Sequence, residues 1–270
     1  MLFVCPKCNK KLNMEEFRAV CPNGHSYDRA KCGYYNLLLS NVGGNHGDNR
    51  EMILARRAFL GAGFYAPLAQ RISKLVLEYS RAGATVLDSG CGEGYYTDTV
   101  ECSLFLRDGI SRVHGFDISK DAVREATKKN SRISLAVAGS YHMPIADASF
   151  DTVINTFSPM ALDETRRVLK PGGVFIMAIP GKVHLYDLKA VIYDTPYKNN
   201  VESTALDGFE LLCDIPLTYT MNLKSREEIT ALFMMTPYAY RTKRENAKRV
   251  LRLESLDCTA DFHILIYRKI

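Results

Sequence analysis

The sequence lacks the segments that mark membrane and secreted proteins. It contains no run of about 18 apolar residues, the length that a membrane-spanning helix requires. No charged and then apolar leader opens it, and internal repeats and low-complexity tracts are absent. With 270 residues, 47% of them hydrophobic, the chain can form one core of ordinary size plus a small module. We therefore expect a soluble, cytoplasmic protein.

Cysteine is concentrated near the amino terminus. Four of the eight cysteines lie within the first 32 residues. Because the sequence carries no secretion signal, metal ligation explains this cluster better than disulfide bonds do. The spacing C-x2-C-x12-C-x3-H is typical of two tight turns that together hold a tetrahedral Zn²⁺ ion. The sequence therefore predicts a zinc site with four ligands, Cys5, Cys8, Cys21 and His25.

Four protein ligands leave no open coordination position, so we expect a structural metal rather than a catalytic one. A module of fewer than 40 residues with few large apolar side chains would depend on that metal for much of its stability. Two alternatives stay open. Cys32 could replace His25 as the fourth ligand, or the cysteines could be reduced and free of metal.

Positive charge is also concentrated at the amino-terminal end. Residues 1–83 contain 12 Lys or Arg against 6 Asp or Glu, whereas residues 84–270 contain 23 against 24. The first part therefore carries a formal charge of +6 and the second −1. This asymmetry favours a polyanionic partner that docks on the amino-terminal part. The alternative is a helix between two domains with a solvated basic face.

A glycine-rich loop follows the first clear β pattern, in the stretch TVLDSGCGEGYY at residues 85–96. Glycine at positions 90, 92 and 94 allows the backbone to turn sharply and to approach a ligand closely. Tight turns from strand to helix also use glycine for structural reasons alone, so Gly90, Gly92 and Gly94 by themselves are weak evidence for a ligand site.

Acidic residues beside this loop discriminate between possible ligands. Asp88 places a carboxylate at the carboxyl end of the strand, where open α/β sheets bind ligands, and Glu93 adds a second one. These charges disfavour a pyrophosphate and suit the sulfonium and ammonium groups of S-adenosylmethionine. In the dinucleotide fingerprint two residues separate the last two glycines, whereas only Glu93 separates Gly92 from Gly94. S-adenosylmethionine is therefore the predicted cofactor, and NAD is disfavoured.

A further carboxylate ends the second predicted strand. Asp117 lies 27 residues after Gly90 and can accept hydrogen bonds from both ribose hydroxyls of an adenosine. It could instead cap the next helix, as Ser119 is placed to do. The loop at residues 139–144 follows the third predicted strand and is placed to flank the adenine ring.

Strand and helix patterns alternate from residue 84 onward, which predicts a mostly parallel sheet with helices on both faces. The predicted strands are 84–88, 112–117, 132–138, 151–155, 173–179, 208–216 and 261–268. The predicted helices between and after them are 95–107, 119–130, 161–169, 224–234 and 243–252, with another that ends near 193 in a segment covering the cofactor. Upstream, a flexible linker is predicted at 41–49 and two helices between 50 and 79, interrupted at 61–63.

These patterns predict a Rossmann-like α/β fold preceded by a small zinc-binding module. We expect three parts: a zinc-binding module at 1–39, a linker and helical connection at 40–83, and a cofactor-binding domain at 84–270.

The motifs VLDSGCGEGYY, HGFDIS and RRVLKPGG resemble those of the class I S-adenosylmethionine-dependent methyltransferases. One branch is more similar still. CPKC and CPNGH, SYDRAKCGYYNLL, ARRAFLGAGFYAPL, PGKVHLYDLK and MTPYAYR resemble, over nearly the whole chain, the bacterial 23S ribosomal RNA (guanine-N1)-methyltransferases. The resemblance implies a zinc-bearing RNA-recognition module ahead of the methyltransferase domain, and a possible homodimer whose two modules form an RNA-binding cleft.

The resemblance also implies roles for single residues. Cys5, Cys8, Cys21 and His25 match the zinc ligands of the family, and Tyr65, Gly92, Glu93 and His184 match its cofactor contacts. From the residues alone, Tyr65 would be read as core packing and His184 as a surface histidine. The family acts on one of two nearby guanines in one stem-loop, and the sequence does not select between them.

Methylation at guanine N1 requires a positioned base and an acceptor for its proton. Asn155, at the end of the fourth predicted strand, is the candidate for binding the guanine edge, and His142 or His184 for accepting the proton. No cysteine lies in the segment 155–160, which argues against the covalent route of cytosine-C5 methylation. The alternative functions are methylation of a small molecule, and zinc-dependent RNA binding by a chain with an inactive methyltransferase domain.

Overall fold

The structure is a computed structural model that describes residues 2–39, 49–200 and 204–270. Its strands are β1 (Asn13–Met14), β2 (Arg18–Val20), β3 (Ser26–Asp28), β4 (Tyr35–Asn36), β5 (Thr85–Ser89), β6 (Arg112–Asp117), β7 (Ser134–Val137), β8 (Phe150–Thr156), β9 (Leu169–Pro180), β10 (Phe209–Leu223) and β11 (Leu256–Lys269). Its helices are α1 (Arg50–Gly61), α2 (Ala66–Tyr79), α3 (Tyr95–Asp108), α4 (Lys120–Ala126), α5 (Leu162–Val168), α6 (Tyr186–Ile192), α7 (Arg226–Met234), α8 (Tyr238–Arg241) and α9 (Arg244–Leu251). A 3-10 helix, Ser140–His142, follows β7.

Eight of the strands form one sheet in the order β10-β11-β9-β8-β5-β6-β7-β4. The neighbours from β9 to β4 pair in parallel, and β10 and β11 complete the sheet as an antiparallel hairpin against β9. The central strand β5 is almost wholly buried, as expected for a parallel strand covered on both faces. The prediction of a mostly parallel α/β sheet is confirmed.

The carboxyl ends of β5, β6 and β8 lie side by side because these three strands are adjacent and parallel. The strand order reverses at β5, since the chain passes from β5 to β6 on one side and reaches β8 on the other. A crevice outside the strand ends at such a point is where open α/β sheets bind ligands. The glycine loop lies at this position.

Several predicted boundaries were wrong at the ends of elements. The predicted strands 208–216 and 261–268 are parts of a much longer hairpin, β10 and β11, which pair along 14 register positions. The helix predicted to reach residue 130 ends at Ala126. The strand predicted at 173–179 begins earlier, at Leu169, so that Pro-Gly-Gly at 171–173 lies inside β9 as a bulge, where the register with β8 shifts and Gly172 has a φ of 70°.

The amino-terminal residues are built into the same sheet. In a small three-stranded sheet, β1-β2-β3, the turn at 21–25 joins β2 to β3, and the turn at 5–8 precedes β1. Strand β4 then pairs in parallel with β7 at the edge of the main sheet. Phe3 forms a bridge with Ile145 and is buried in a core that also contains Leu87 and Phe116 of the central strands. The boundaries 1–39, 40–83 and 84–270 stay predictions.

The helices before the catalytic sheet agree with the predicted pattern. Asn49 caps α1 by accepting a hydrogen bond from the Met52 N–H. Helix α2 begins with proline in its first turn and buries an apolar face, which includes Leu68, Ile72 and Leu75. Most of the predicted linker at 41–49 lies outside the described residues. Every helix in the described part of the chain is too short or too polar to span a lipid bilayer.

Candidate zinc and cofactor sites

Two turns of the amino-terminal module bring four ligand atoms together. The Sγ atoms of Cys5, Cys8 and Cys21 and a ring nitrogen of His25 all lie within 4.8 Å of one another. His25 Nδ1 is 3.4 Å from both the Cys5 and Cys21 sulfurs, and the sulfurs of Cys8 and Cys21 are 3.6 Å apart. Ligands about 2.3 Å from a tetrahedral Zn²⁺ ion would be about 3.7 Å from each other. The spacing of these residues therefore fits Zn²⁺.

The chemistry of the cluster agrees with its geometry. Burial raises the pKa of the Cys5 thiol, but hydrogen bonds from the Tyr27 hydroxyl and from the backbone outweigh it and lower that pKa to about 6. The Tyr27 oxygen lies 3.1 Å from the Cys5 sulfur, where it would orient the thiolate toward a metal. Cys32 is exposed and is not a member of the cluster, so the alternative in which it replaces His25 was wrong.

The glycine loop at the carboxyl end of β5 combines a closed side with an open one. Gly90 has a φ of 85°, and a Cβ there would lie 2.1 Å from Ser158 Oγ. Gly92 has a φ of 53°, and a Cβ there would meet no described atom within 4 Å. Gly94, with a φ of 79°, is the N-cap residue of α3, and a Cβ there would lie 3.0 Å from the Cβ of Ala126. Glycine adopts such positive φ angles readily, so the loop can turn sharply at all three positions. The space beside Gly92 is open to a ligand.

Asp88 is the buried carboxylate beneath this loop and is 2% exposed. Its Oδ2 accepts a 2.5 Å hydrogen bond from the Thr97 hydroxyl, whereas its Oδ1 has no partner among the described residues. Burial raises the pKa of Asp88 to about 7, against the Thr97 hydrogen bond and with a contribution from the negative charge of Asp117. A buried carboxyl group with an unsatisfied oxygen is suited to receive a cationic or donating ligand group.

Further polar atoms at this edge also lack partners. Both carboxylate oxygens of Glu93 and the hydroxyl of Tyr96 are buried without a hydrogen bond from the described residues. The Lys129 ammonium lies 3.5 Å from Glu93 Oε1, and burial raises the pKa of Glu93 in spite of it. Since buried polar groups are normally satisfied, this concentration indicates a ligand-binding surface.

Asp117 fastens the glycine loop to β6. Its Oδ2 accepts from the Gly92 N–H at 3.0 Å, and its Oδ1 accepts from the Ser119 N–H at 2.8 Å. Helix α4 is capped by Ser119, whose Oγ accepts from the Ala122 N–H, so capping by Asp117 was the wrong alternative. Each carboxylate oxygen can accept more than one hydrogen bond, and Asp117 is only half-buried. Contact with a ribose stays a prediction.

Tyr65 and His184 meet across 119 positions of sequence, with the Tyr65 hydroxyl oxygen 3.3 Å from His184 Nε2. The Asp261 backbone N–H donates to His184 Nδ1, so the proton of the neutral ring lies on Nε2 and points to the tyrosine oxygen. Burial lowers the pKa of His184 to about 3 and raises that of Tyr65 well above its usual value. Tyr65 therefore keeps a hydroxyl proton that it can donate elsewhere.

This arrangement conflicts with the hypothesis that His184 accepts the guanine proton, since both its ring nitrogens are engaged. His142, the other candidate, is exposed in the 3-10 helix after β7. Asn155 is 4% exposed, and its amide donates to the Ser89 carbonyl at 3.3 Å and to Ser158 Oγ at 3.2 Å. These contacts fix the segment after β8 onto the end of β5, and a direct contact of Asn155 with guanine stays a prediction.

The structure thus brings most of the predicted residues to one edge. Asp88, Gly92, Glu93 and Asp117 surround the glycine loop, and Tyr65 with His184 lies beside Phe157 after β8. Sequence reasoning missed Thr97 and Tyr96, although the aromatic pair after the glycines was a visible signal for Tyr96. It placed the acceptor contacts in the segment 155–160 but did not single out Phe157.

Comparisons with known proteins agree with this geometry. Residues 87–177 match the family model "Methyltransferase domain", and residues 3–41 match the zinc ribbon model described as "RlmA, N-terminal". Of solved structures, a candidate type II methyltransferase of Anaeromyxobacter dehalogenans superposes with a TM-score of 0.50 at 21% identity, over 74% of this chain and 95% of that one. The predicted fold, S-adenosylmethionine as cofactor and structural Zn²⁺ are confirmed.

Two curated relatives are similar in sequence at 30% identity or more. YxjB of Bacillus subtilis, a candidate 23S rRNA (guanine-N1)-methyltransferase, is 30% identical over 99% of this chain and 97% of its own length. The 23S rRNA (guanine(748)-N1)-methyltransferase of Streptomyces fradiae is 35% identical over 68% of this chain and 65% of its own. The chain belongs to the family of 23S rRNA (guanine-N1)-methyltransferases.

Proposed function

We propose that this protein transfers the methyl group of S-adenosylmethionine to N1 of a guanine in a stem-loop of 23S ribosomal RNA. One observation carries the proposal: the same chain holds a zinc cluster and a glycine loop with an open side at the edge of its main sheet. This chain is similar over nearly its full length to a relative named for this reaction.

The polar atoms at the carboxyl edge supply contacts for the cofactor. Asp88 Oδ1 and Glu93 Oε2 offer carboxylate oxygens to its cationic groups, with Glu93 Oε1 paired to Lys129, and Asp117 offers acceptors to the ribose hydroxyls. The open side of Gly92 gives the cofactor close access to the backbone. Tyr65 would donate its hydroxyl proton, because His184 already donates to the tyrosine oxygen.

When bound, S-adenosylmethionine supplies a methyl group on a sulfonium, which is displaced in line by the acceptor nitrogen. The protein therefore has to hold the acceptor nitrogen in line with the bond between the methyl carbon and the sulfur, and it needs no covalent nucleophile. Cysteine is absent from residues 155–160 at the end of β8, which supports this route. Guanine N1 lies on the Watson–Crick edge and carries a proton, so the base must be unpaired or flipped out and must lose that proton. His142 is the remaining candidate for accepting this proton, because both ring nitrogens of His184 are engaged.

The surface of the amino-terminal module indicates which kind of molecule accepts the methyl group. Its lysines at positions 7, 10, 11 and 31 are exposed, and Phe17 is 74% exposed beside Arg18. Basic side chains interleaved with an exposed aromatic ring suit an RNA backbone and an unstacked base. A small-molecule acceptor would need neither feature.

The test is transfer of a tritiated methyl group from the labelled cofactor. Label should enter 23S rRNA from a strain that lacks the protein, and should not enter a pool of small metabolites. Label in the small-molecule pool alone would contradict the proposal, and cofactor binding by calorimetry without any transfer would support the inactive alternative. Primer extension on RNA from the same strain, against RNA from the parent, would identify the guanine by one lost stop.

A homodimer and a cytoplasmic location complete the proposal. Both rest on the family resemblance and on ribosomal RNA as substrate. Light scattering during gel filtration, with and without an RNA stem-loop, distinguishes a dimer of about twice the 30.3 kDa chain from a monomer.

A further inference from the structure

Phe157 adopts a backbone conformation that is unfavourable for a bulky residue. Its φ is 58°, in the left-handed region, where non-glycine residues are uncommon. A ring that served only to pack the core would gain nothing from this conformation. Strain of this kind at the carboxyl edge of a sheet is a reason to look for a functional contact.

The neighbouring residues hold Phe157 in place. Its own N–H donates to the Ala178 carbonyl of β9 at 3.3 Å. On its two sides, Asn155 and Ser158 both donate to the Ser89 carbonyl, at 3.3 and 3.0 Å. The segment is thus fastened to the ends of two strands, and these contacts compensate the strained φ.

The ring of Phe157 lies on a floor of buried rings. His184 is nearly parallel to it at an interplanar angle of 20° and a centroid distance of 6.4 Å, and Phe262 is 5.6 Å away. Tyr96, beside the glycine loop, lies at 6.3 Å. His184 is 8% exposed and Phe262 0%, but Phe157 is 42% exposed. Part of its ring is therefore supported from below and part faces solvent.

We propose that the exposed part of the Phe157 ring stacks on the target guanine and holds it in the plane for methylation. This inference rests on the proposed function and deepens it. A flipped base has lost its stacking neighbours, and an aromatic side chain can replace them without reading the sequence. The fixed backbone gives the platform one position, between the cofactor-side Tyr96 and the Tyr65–His184 pair. Asn155 and Ser158 act as positioning residues through Phe157.

The experiment compares F157G, F157A and F157Y with wild-type protein and a 23S rRNA fragment that contains the stem-loop. Loss of the ring should lower kcat/KM about 10- to 100-fold in both F157G and F157A, the range measured when a stacking aromatic is removed. F157Y, which keeps a ring, should stay within about threefold of wild type. Affinity for S-adenosylmethionine, measured by calorimetry, should fall much less than kcat/KM in F157G and F157A, because Phe157 packs beside the cofactor residues Tyr65 and His184 but its proposed contact is with the base.

F157G separates the ring from the backbone. Glycine adopts the left-handed φ without strain, so it should fold at least as well as F157A and still lose activity. Full activity in F157G would overturn the inference, as would a loss of cofactor affinity that equals the loss of kcat/KM. The control is F105A, which removes an exposed ring at the far end of α3 and should leave kcat/KM unchanged. Wild-type protein that methylates no RNA would overturn the proposed function together with this inference, whereas an active wild type with an active F157G would overturn this inference alone.

Discussion

The zinc cluster and the cofactor edge are built in opposite ways. The cluster takes its four ligand atoms from two short segments, 5–8 and 21–25, and these atoms lie at the mutual distances of a metal cage. The cofactor edge takes its groups from β5 and the loop after it, from β6, from the residue before α2 and from the segment after β9, and leaves Asp88 Oδ1 and Glu93 Oε2 without a partner among the described residues. A structural site is complete within its module, whereas a binding site is left unsatisfied until its ligand arrives.

The most severe test of this comparison is removal of a zinc ligand. C21S should abolish stoichiometric zinc and unfold residues 2–39, because the small module depends on the metal for its fold. The loss should reach the main sheet edge, since Phe3 and Leu37 share a core with Leu87. Elemental analysis measures the zinc, and hydrogen exchange measures protection of the module and of β7.

The matched control is C32S, which changes an exposed cysteine outside the cluster. It should keep one zinc per chain and wild-type protection. Retention of full protection by C21S after zinc is lost would contradict the view that the module needs its metal.

The glycine loop offers a second test, because its two sides differ. G90A places a Cβ 2.1 Å from Ser158 Oγ at a φ of 85° and should destabilise the fold by about 3 kcal/mol through overlap and backbone strain. G92A meets open space at a φ of 53°, so its cost to stability should be only about 1 kcal/mol.

The affinity for S-adenosylmethionine should change in G92A for a reason that is separate from stability. G92A should bind S-adenosylmethionine at least about tenfold more weakly, because its methyl group enters the space into which the cofactor fits. Urea denaturation and calorimetry measure the two quantities. Unchanged affinity in a folded G92A would show that the cofactor does not approach this residue.

Local sequence patterns were enough to predict those features that depend on residues close together in the chain. The zinc ligands follow from spacing, and the strand, loop and helix from 85 to 108 follow from local pattern. Asp88 was correctly placed at the end of a buried strand. Its raised pKa, however, depends on the burial that the whole sheet provides.

Contacts between distant segments could not be predicted in the same way. The Tyr65–His184 hydrogen bond joins two residues that each look ordinary in sequence, and only the family resemblance singled them out. The left-handed φ of Phe157 results from anchors on β5 and β9. Likewise, β4 pairs with β7 across about 100 residues, so the end of the zinc module gave no local sign of joining the main sheet.

A third prediction concerns the unsatisfied carboxyl group of Asp88. Its pKa of about 7 in the free protein means that it is partly protonated at neutral pH. A cationic ligand favours the ionised form, so cofactor binding should release a proton, and affinity should increase as pH rises from about 6 to 8. Calorimetry in two buffers with different ionisation enthalpies measures the proton. D88N should release none, and equal proton release from D88N and wild type would show that another group titrates.

The last prediction, whose effect vanishes above pH 7, concerns His114, a buried group outside both sites. It lies edge-on between Phe3 of the zinc module and Phe150, and neither ring nitrogen has a partner among the described residues. Burial lowers the pKa of His114 to about 4, whereas the unfolded chain would protonate it at about 6.5. Between these pH values the unfolded state binds the extra proton, so stability decreases as the pH falls.

H114F keeps an aromatic ring between Phe3 and Phe150 and removes the titration. The free energy of unfolding of wild type relative to H114F should be constant above pH 7 and should fall by up to about 1.4 kcal/mol per pH unit between 6.5 and 4. Asp88 changes the free energy of unfolding with pH in the opposite direction to His114, and His184 changes it in the same direction. Both contributions are present in both proteins and cancel in the difference. Urea denaturation at half-unit pH steps measures it. Parallel curves for the two proteins would mean that His114 has the same pKa in the folded and the unfolded state, and would contradict the view that an uncharged imidazole is buried where the module meets the sheet.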